Sequence, residues 1–154
     1  MACWRRGRRG TVCARGASLA LLRGPLNFTG RAHGMGPRQL VQAWVEAFNR
    51  ADVDALTSFY SDDAVNHQVA ELPVQGRENI RQMFASAFAL TQMHCIVENI
   101  FEEGQWAILE WRDPSGLRGC GFFHVLDGRI AFQRGYWDKL SFVRLHGLPT
   151  PKEL

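Results

Sequence analysis

The chain predicts an α+β domain in which helices come first and an antiparallel sheet follows. Three observations carry this. Apolar residues recur every three to four positions between Pro37 and Phe88, and after Thr91 the period drops to two. The two-residue pattern is interrupted at Glu103-Gly104, Asp113-Pro114-Ser115-Gly116 and Asp127-Gly128, all of which are turn sequences. A helical block followed by a strand meander packs its helices on one face of the sheet.

Pro37 suits the first position of a helix, where its missing N–H costs nothing. Leu40, Val41, Trp44, Val45 and Phe48 then form one apolar stripe. Asn49-Arg50-Ala51-Asp52 ends that helix, and Asp52 caps a short second one carrying Val53, Leu56, Phe59 and Tyr60. Ser61-Asp62-Asp63 reads as a turn and Ala64–Val69 as a short extended piece. Gly76 opens a third helix, with Glu78 in its first turn and Ile80, Met83, Phe84, Ala87 and Phe88 along one face. The strands are expected at Met93–Phe101, Trp106–Arg112, Arg118–Leu126 and Arg129–Phe142. The Asp127-Gly128 pair between apolar runs marks a tight hairpin.

With 154 residues the chain suits one domain preceded by a leader. A composition of 46% hydrophobic and 21% charged residues excludes a disordered chain, a collagen and a polytopic membrane protein. The formal charge of +3 averages two unlike pieces. Residues 1–34 hold seven of the 18 Lys and Arg and no acid; residues 35–154 hold the other 11 against all 15 Asp and Glu, a net −4. A mildly acidic domain argues against a nucleic-acid face.

The leader shows no helix or strand period, and its apolar run Ala17–Leu22 is shorter than the roughly 7–15 residues of a secretory core. Two readings stand. Its arginines suit a mitochondrial presequence, or Met35 is the start and the rest is upstream sequence. We favour the second and a cytoplasmic domain, residues 35–154, because the ordered pattern begins beside Met35. The Asn27-Phe28-Thr29 sequon is read as chance. Cys3, Cys13, Cys95 and Cys120 lack zinc spacing, and the last two read as reduced thiols.

The last predicted strand aligns Ile130, Phe132, Arg134, Tyr136 and Asp138 on one face, and Trp106–Arg112 aligns Trp106, Ile108, Glu110 and Arg112. Ala107, Leu109 and Trp111 form the purely apolar alternative. Charge mixed with aromatics is either a polar group of Glu110, Arg112 and Asp138 aimed into a wet cavity or an exposed, salt-bridged or dimeric face. His67, beside Asn66 and Gln68, is the most suggestive histidine. No metal-binding spacing, nucleophile elbow, phosphate loop or dinucleotide fingerprint is present, so no metal or cofactor is expected.

Two stretches of the first half, Tyr60-Ser61-Asp62-Asp63-Ala64-Val65-Asn66-His67-Gln68 and Pro73-Val74-Gln75-Gly76-Arg77-Glu78-Asn79-Ile80, resemble SnoaL-like members of the NTF2-like superfamily. In the second half, Gly121–Ile130, Arg134-Gly135-Tyr136-Trp137-Asp138 and Leu145–Pro149 do likewise. The resemblance implies three N-terminal helices forming a cone with a curved, mostly antiparallel sheet, a pocket at its open end and pairing through the sheet. Its members include polyketide cyclases, ketosteroid isomerase, limonene-1,2-epoxide hydrolase and a nuclear transport carrier, so fold leaves function open.

Carried over by residue, the resemblance makes Asp138 the general acid or base, with a carboxyl raised by Phe132, Tyr136 and Trp106. Glu110, Arg112 and His67 accompany it. Asn66 and Gln68 orient substrate or water, and Trp44, Phe88, Trp106 and Tyr136 form apolar walls. Gln68 stands where the isomerase has its catalytic Asp, Glu110 and Arg112 reverse the epoxide hydrolase order, and Gly135 stands where many relatives are acidic. The expected function is therefore a small-molecule pocket, without nucleic-acid or membrane partners, in a homodimer. It is either a cofactor-free isomerase, cyclase or hydrolase for an apolar carbonyl or epoxide compound, or a non-catalytic binding module.

Overall fold

The computed structural model describes residues 34–149. The leader, with Cys3, Cys13 and the Asn27 sequon, lies outside them. Helices α1 (Pro37–Asn49), α2 (Val53–Ser58) and α3 (Arg77–Leu90) cover one face of a six-stranded sheet. The strands are β1 (Tyr60–Gln68), β2 (Val74–Gln75), β3 (Ile96–Glu103), β4 (Trp106–Arg112), β5 (Arg118–Leu126) and β6 (Arg129–Trp137), and a fourth helix, α4 (Lys139–Leu145), follows. The sheet order is β2-β1-β6-β5-β4-β3; every neighbouring pair is antiparallel except β1 with β6.

Local chemistry explains the helix ends. Pro37 opens α1, and the Glu102 carboxylate from β3 accepts the Arg38 N–H at 2.6 Å, placing an anion at the helix start. At the other end the Asn49 side chain bonds both backbone groups of Cys95, at 2.7 and 2.9 Å, and pins α1 to the entry of β3. Asp52 caps α2 by accepting from Ala55 at 3.0 Å. Asp127 and Gly128 take φ of 49° and 75°, the left-handed pair of a tight hairpin.

Two expectations about the strands need correction. The Ser61-Asp62-Asp63 segment lies within β1, whose pairing with β6 shifts register between Tyr60 and Val65. The last strand stops at Trp137 rather than Phe142, because the Asp138 carboxylate accepts the Ser141 N–H at 2.6 Å and starts α4. Leu140 and Phe142 continue the two-residue rhythm only by coincidence.

The helices meet Ala107, Leu109 and Trp111 of β4, Phe123 and Val125 of β5, and Ile130 and Gln133 of β6. Leu109, Trp111 and Phe123 thus point inward. A bulge at Ala131 turns Ile130 inward and Phe132 outward and so reverses the alternation of β6. On the inner face Gly119 lies under the Trp111 indole: a Cβ there would stand 2.5 Å from Trp111 Cζ2 and 2.6 Å from the Tyr136 carbonyl oxygen. We expect Gly119→Ala to destabilise the fold by about 2 kcal/mol through this overlap, read as a lower urea midpoint at unchanged slope.

Candidate functional site

Two glycines lie side by side on the inner sheet face. Gly121 and Gly135 face each other directly across β5 and β6, and the hollow above them is a cavity of about 320 Å3. Trp44, Phe48, Met83, Phe84, Leu109, Trp111 and Phe123 form much of its apolar wall. Trp137, Phe142 and His146 bring β6 and α4 to its mouth. At that end Lys139 of α4 pairs with Glu71 at 2.6 Å.

A polar chain runs beneath the hollow. Trp44 Nε1 donates to the Tyr60 hydroxyl at 3.0 Å, and Tyr60 donates to Gln133 Oε1. From the other side Trp137 Nε1 donates to Gln68 Oε1 at 3.1 Å, Gln68 Nε2 to Asn66 Oδ1 at 2.7 Å, and Asn66 Nδ2 to Gln133 Oε1 at 3.0 Å. An indole N–H only donates, so the two tryptophans set the direction of every bond between them. Both sequences end on one acceptor, Gln133 Oε1. The Nε2 of Gln133, which takes no acceptor among the described residues, is left as a donor beside apolar wall residues. Burial pushes the Tyr60 phenol far above its ordinary range, more than the Trp44 and Asn66 hydrogen bonds lower it, so it remains a neutral donor.

Of the ten residues expected at the site, the structure brings three together: Trp44 and Gln68 line the cavity, and Asn66, fully buried, links Gln68 to Gln133. Phe88 stacks outside the lining, against Phe48 and Phe84. The remainder lie elsewhere. Glu110 and Arg112 share the outer parity of β4, where Glu110 accepts from Asn99 at 2.6 Å and Arg112 lies 3.5 Å from Glu98. Trp106 stacks on His124 and Tyr136 meets the edge of Phe122, both on that outer face. His67 pairs in register with Arg134 on the outer side of β1 and β6. Asp138 is exposed as the α4 cap, and the Ser141 hydrogen bonds hold its carboxyl below the usual range, the reverse of the expected rise. The expected group of Glu110, Arg112 and Asp138 therefore does not form, because outward parity and a cap take its members away from the hollow.

Sequence reading missed Tyr60, Thr91, Asp113, Gln133, Trp137 and His146. Asp113 was within reach: it continues the parity of Ala107, Leu109 and Trp111 by one step. Gln133 was hidden by the bulge. Cys95 and Cys120 also border the cavity. Burial pushes the Cys95 thiol up to about 12; burial, and after it the Glu110 carboxylate, raises Cys120. Neither is a ready thiolate near neutral pH. Among the described residues no group of three or more His, Cys, Asp or Glu side chains is placed to hold a metal. No helix among them is long and apolar enough to cross a membrane.

The SnoaL-like domain family model matches residues 41–133, most of the helical cover and the sheet. The chain belongs to the SnoaL-like family. No curated protein matches it. Among solved structures, it is similar to a hypothetical protein with a ketosteroid isomerase-like fold from Catenulispora acidiphila, crystallised with trimethylamine. That match has a TM-score of 0.67 and 20% identity, covering 76% of this chain and 100% of that one. An NTF2-like protein of unknown function from Cytophaga hutchinsonii matches with a TM-score of 0.62 and 18% identity over 70% and 95% of the two chains. An LEH-like epoxide hydrolase from M. tuberculosis matches with a TM-score of 0.59 and 21% identity over 70% and 86%. At these identities the likeness establishes the NTF2-like fold of this SnoaL-like chain and nothing about its chemistry.

Tyr60→Phe breaks the polar chain at its centre and strands the Trp44 indole N–H. We expect a loss of about 1–3 kcal/mol, measured by chemical denaturation, with secondary structure unchanged by circular dichroism.

Proposed function

We propose that this SnoaL-like protein binds a small, mostly apolar molecule bearing one hydrogen-bond acceptor, such as a carbonyl or epoxide oxygen. The supporting observation is the Nε2 of Gln133, a donor with no acceptor among the described residues, set where the inner wall of the cavity is apolar. The volume is near the lower end of the roughly 300–1,000 Å3 of ligand pockets, which suits a compact ligand. The outward placement of Glu110, Arg112 and His67, and the capping role of Asp138, favour recognition of a neutral ligand over an ionic one.

Acetophenone and isopropylbenzene have nearly the same shape and differ in the acceptor. Titration followed by NMR should show the ketone binding about fivefold tighter, the equivalent of roughly 1 kcal/mol for one neutral hydrogen bond. Ala87→Phe, which fills the cavity from α3, should abolish both. Equal affinity for the two compounds would remove Gln133 from the recognition.

We also propose that two copies pair through the outer sheet face. Phe101, Trp106 and Tyr136 are exposed there, and Phe122 and Phe132 lie among them. This is the kind of contiguous aromatic surface that marks an interface. Glu103 lies on edge strand β3 and Arg134 on β6, near opposite ends of the face. A two-fold axis between them would bring the Glu103 of each copy toward the Arg134 of the other. Sedimentation analysis should give a dimer for the native chain and a monomer for Phe101→Glu/Tyr136→Glu, with ketone binding retained.

A further inference from the structure

The mouth of the cavity holds three side chains that the binding reading does not use. Thr91 follows the last residue of α3, Asp113 follows β4 on its inward parity, and His146 caps α4; all three line the cavity. Asp113 is 5% exposed. Its Oδ1 accepts the Leu117 N–H at 2.9 Å, and its Oδ2 lies 3.0 Å from His146 Nε2. On the far side of the imidazole, His146 Nδ1 lies 3.5 Å from Thr91 Oγ1.

The direction of these contacts follows from valence. A carboxylate only accepts, so Nε2 of the neutral ring carries the proton toward Asp113. Nδ1 is then a lone pair, and the Thr91 hydroxyl is the group that donates. A hydroxyl on an imidazole base, with that base oriented by a buried carboxylate, is the arrangement that activates an alcohol as a nucleophile. A contact of 3.5 Å is the loose spacing common before a substrate is bound. The positive charge that develops on the ring as it takes the proton lies beside Asp113 and at the carboxyl ends of α3 and α4, where backbone carbonyls favour it. The other ionisable groups lining the cavity among the described residues offer no such pairing. Glu71 is bound to Lys139, His94 is exposed, and both thiols are held protonated.

We propose that Thr91, His146 and Asp113 hydrolyse small apolar carboxylic esters at the cavity mouth, an inference that rests on the cavity binding such molecules. The Thr91 oxygen bonds to the ester carbonyl carbon as its proton passes to His146 Nδ1. The adduct collapses, the bond to the alcohol oxygen breaks, and the alcohol leaves with that proton. Water then attacks the acylated Thr91 and gives a proton to Nδ1. The bond from Thr91 oxygen to the acyl carbon breaks, the oxygen recovers the proton, and the carboxylic acid is released. Thr91 and His146 are the catalytic residues; Asp113 is a positioning residue that holds the ring in the required tautomer.

The test uses the full chain with 4-nitrophenyl butyrate. The native protein should release nitrophenol with saturation and, after acid quenching, carry a butyryl group on the peptide containing Thr91. Thr91→Val and His146→Gln should each lower kcat/KM by about 100-fold or more. Thr91→Ser should keep both the adduct and much of the rate. Asp113→Asn should lower kcat with little change in KM and alter the pH–rate profile, which a purely structural tie would not do. Thermal melts identify any variant that fails to fold, and the variants that do fold then decide. Acetophenone binding with native hydrolysis no faster than in Thr91→Val, or adducts on cysteine or lysine alone, overturns the relay and leaves the binding reading standing. Failure to bind acetophenone overturns that reading first.

Discussion

The direction of hydrogen bonds under the cavity is the constraint on which the rest depends. Trp44 and Trp137 enter the polar chain from opposite ends, and neither indole can accept. Every hydroxyl and carboxamide between them must pass its hydrogen inward until two donors converge on one oxygen of Gln133. That oxygen can take two, and the amide nitrogen left over faces the hollow. The rest of this buried network is rigid, because rotating any one amide would set donor against donor or oxygen against oxygen. Among the described residues no fully buried side-chain nitrogen or oxygen lacks a partner. The recognition group is therefore held by a chain of neutral contacts without any ion.

Two absent side chains let neighbouring groups lie close to the sheet beneath the hollow. Gly121 and Gly135 are cross-strand partners, so the sheet has no Cβ where the helices arch over it. Gln68 leans into the place a side chain at 135 would take: a Cβ there would fall 2.0 Å from its Oε1. The amide and the glycine thus exclude any larger residue at 135 unless Gln68 moves. Glu110, Arg112 and their partners are sorted to the opposite face, where Glu98 meets Arg112 and Arg118. This spares the interior the several kcal/mol that an unpaired buried ion costs.

Much of the fold was legible because its signals are local. The stripe on α1, the cap at Asp52, the glycine before α3 and the Asp-Gly hairpin each act within a few residues, and all occur as read. What depends on register was not legible. A single extra residue at Ala131 changes which half of β6 faces the helices, and no pattern confined to one strand reveals it. Alternation read without that bulge grouped Asp138 with Phe132 and Tyr136 and passed over Gln133. Asp138 also shows that one residue type suits two roles: an acid at the end of a strand serves equally as the cap of the next helix. Asn66 and Gln68 were named from the family resemblance; Gln68 lines the cavity and Asn66 bonds to it. His146 was not legible as a site residue, since nothing near it in sequence indicates that Asp113, 33 positions earlier, stands beside it.

The short α4 hangs from its Asp138 cap at one end and is tied at the other by His146 to the turn after β4. Glu71 and Lys139 add a surface clasp between them. The width of the doorway is thus governed by two peripheral turns and one small helix, while the chamber behind it is bordered by the paired glycines and the amide chain. Substitutions at the periphery could alter which molecules are admitted without touching how they are held, so selectivity in this lineage is free to drift at the threshold while the interior stays constant.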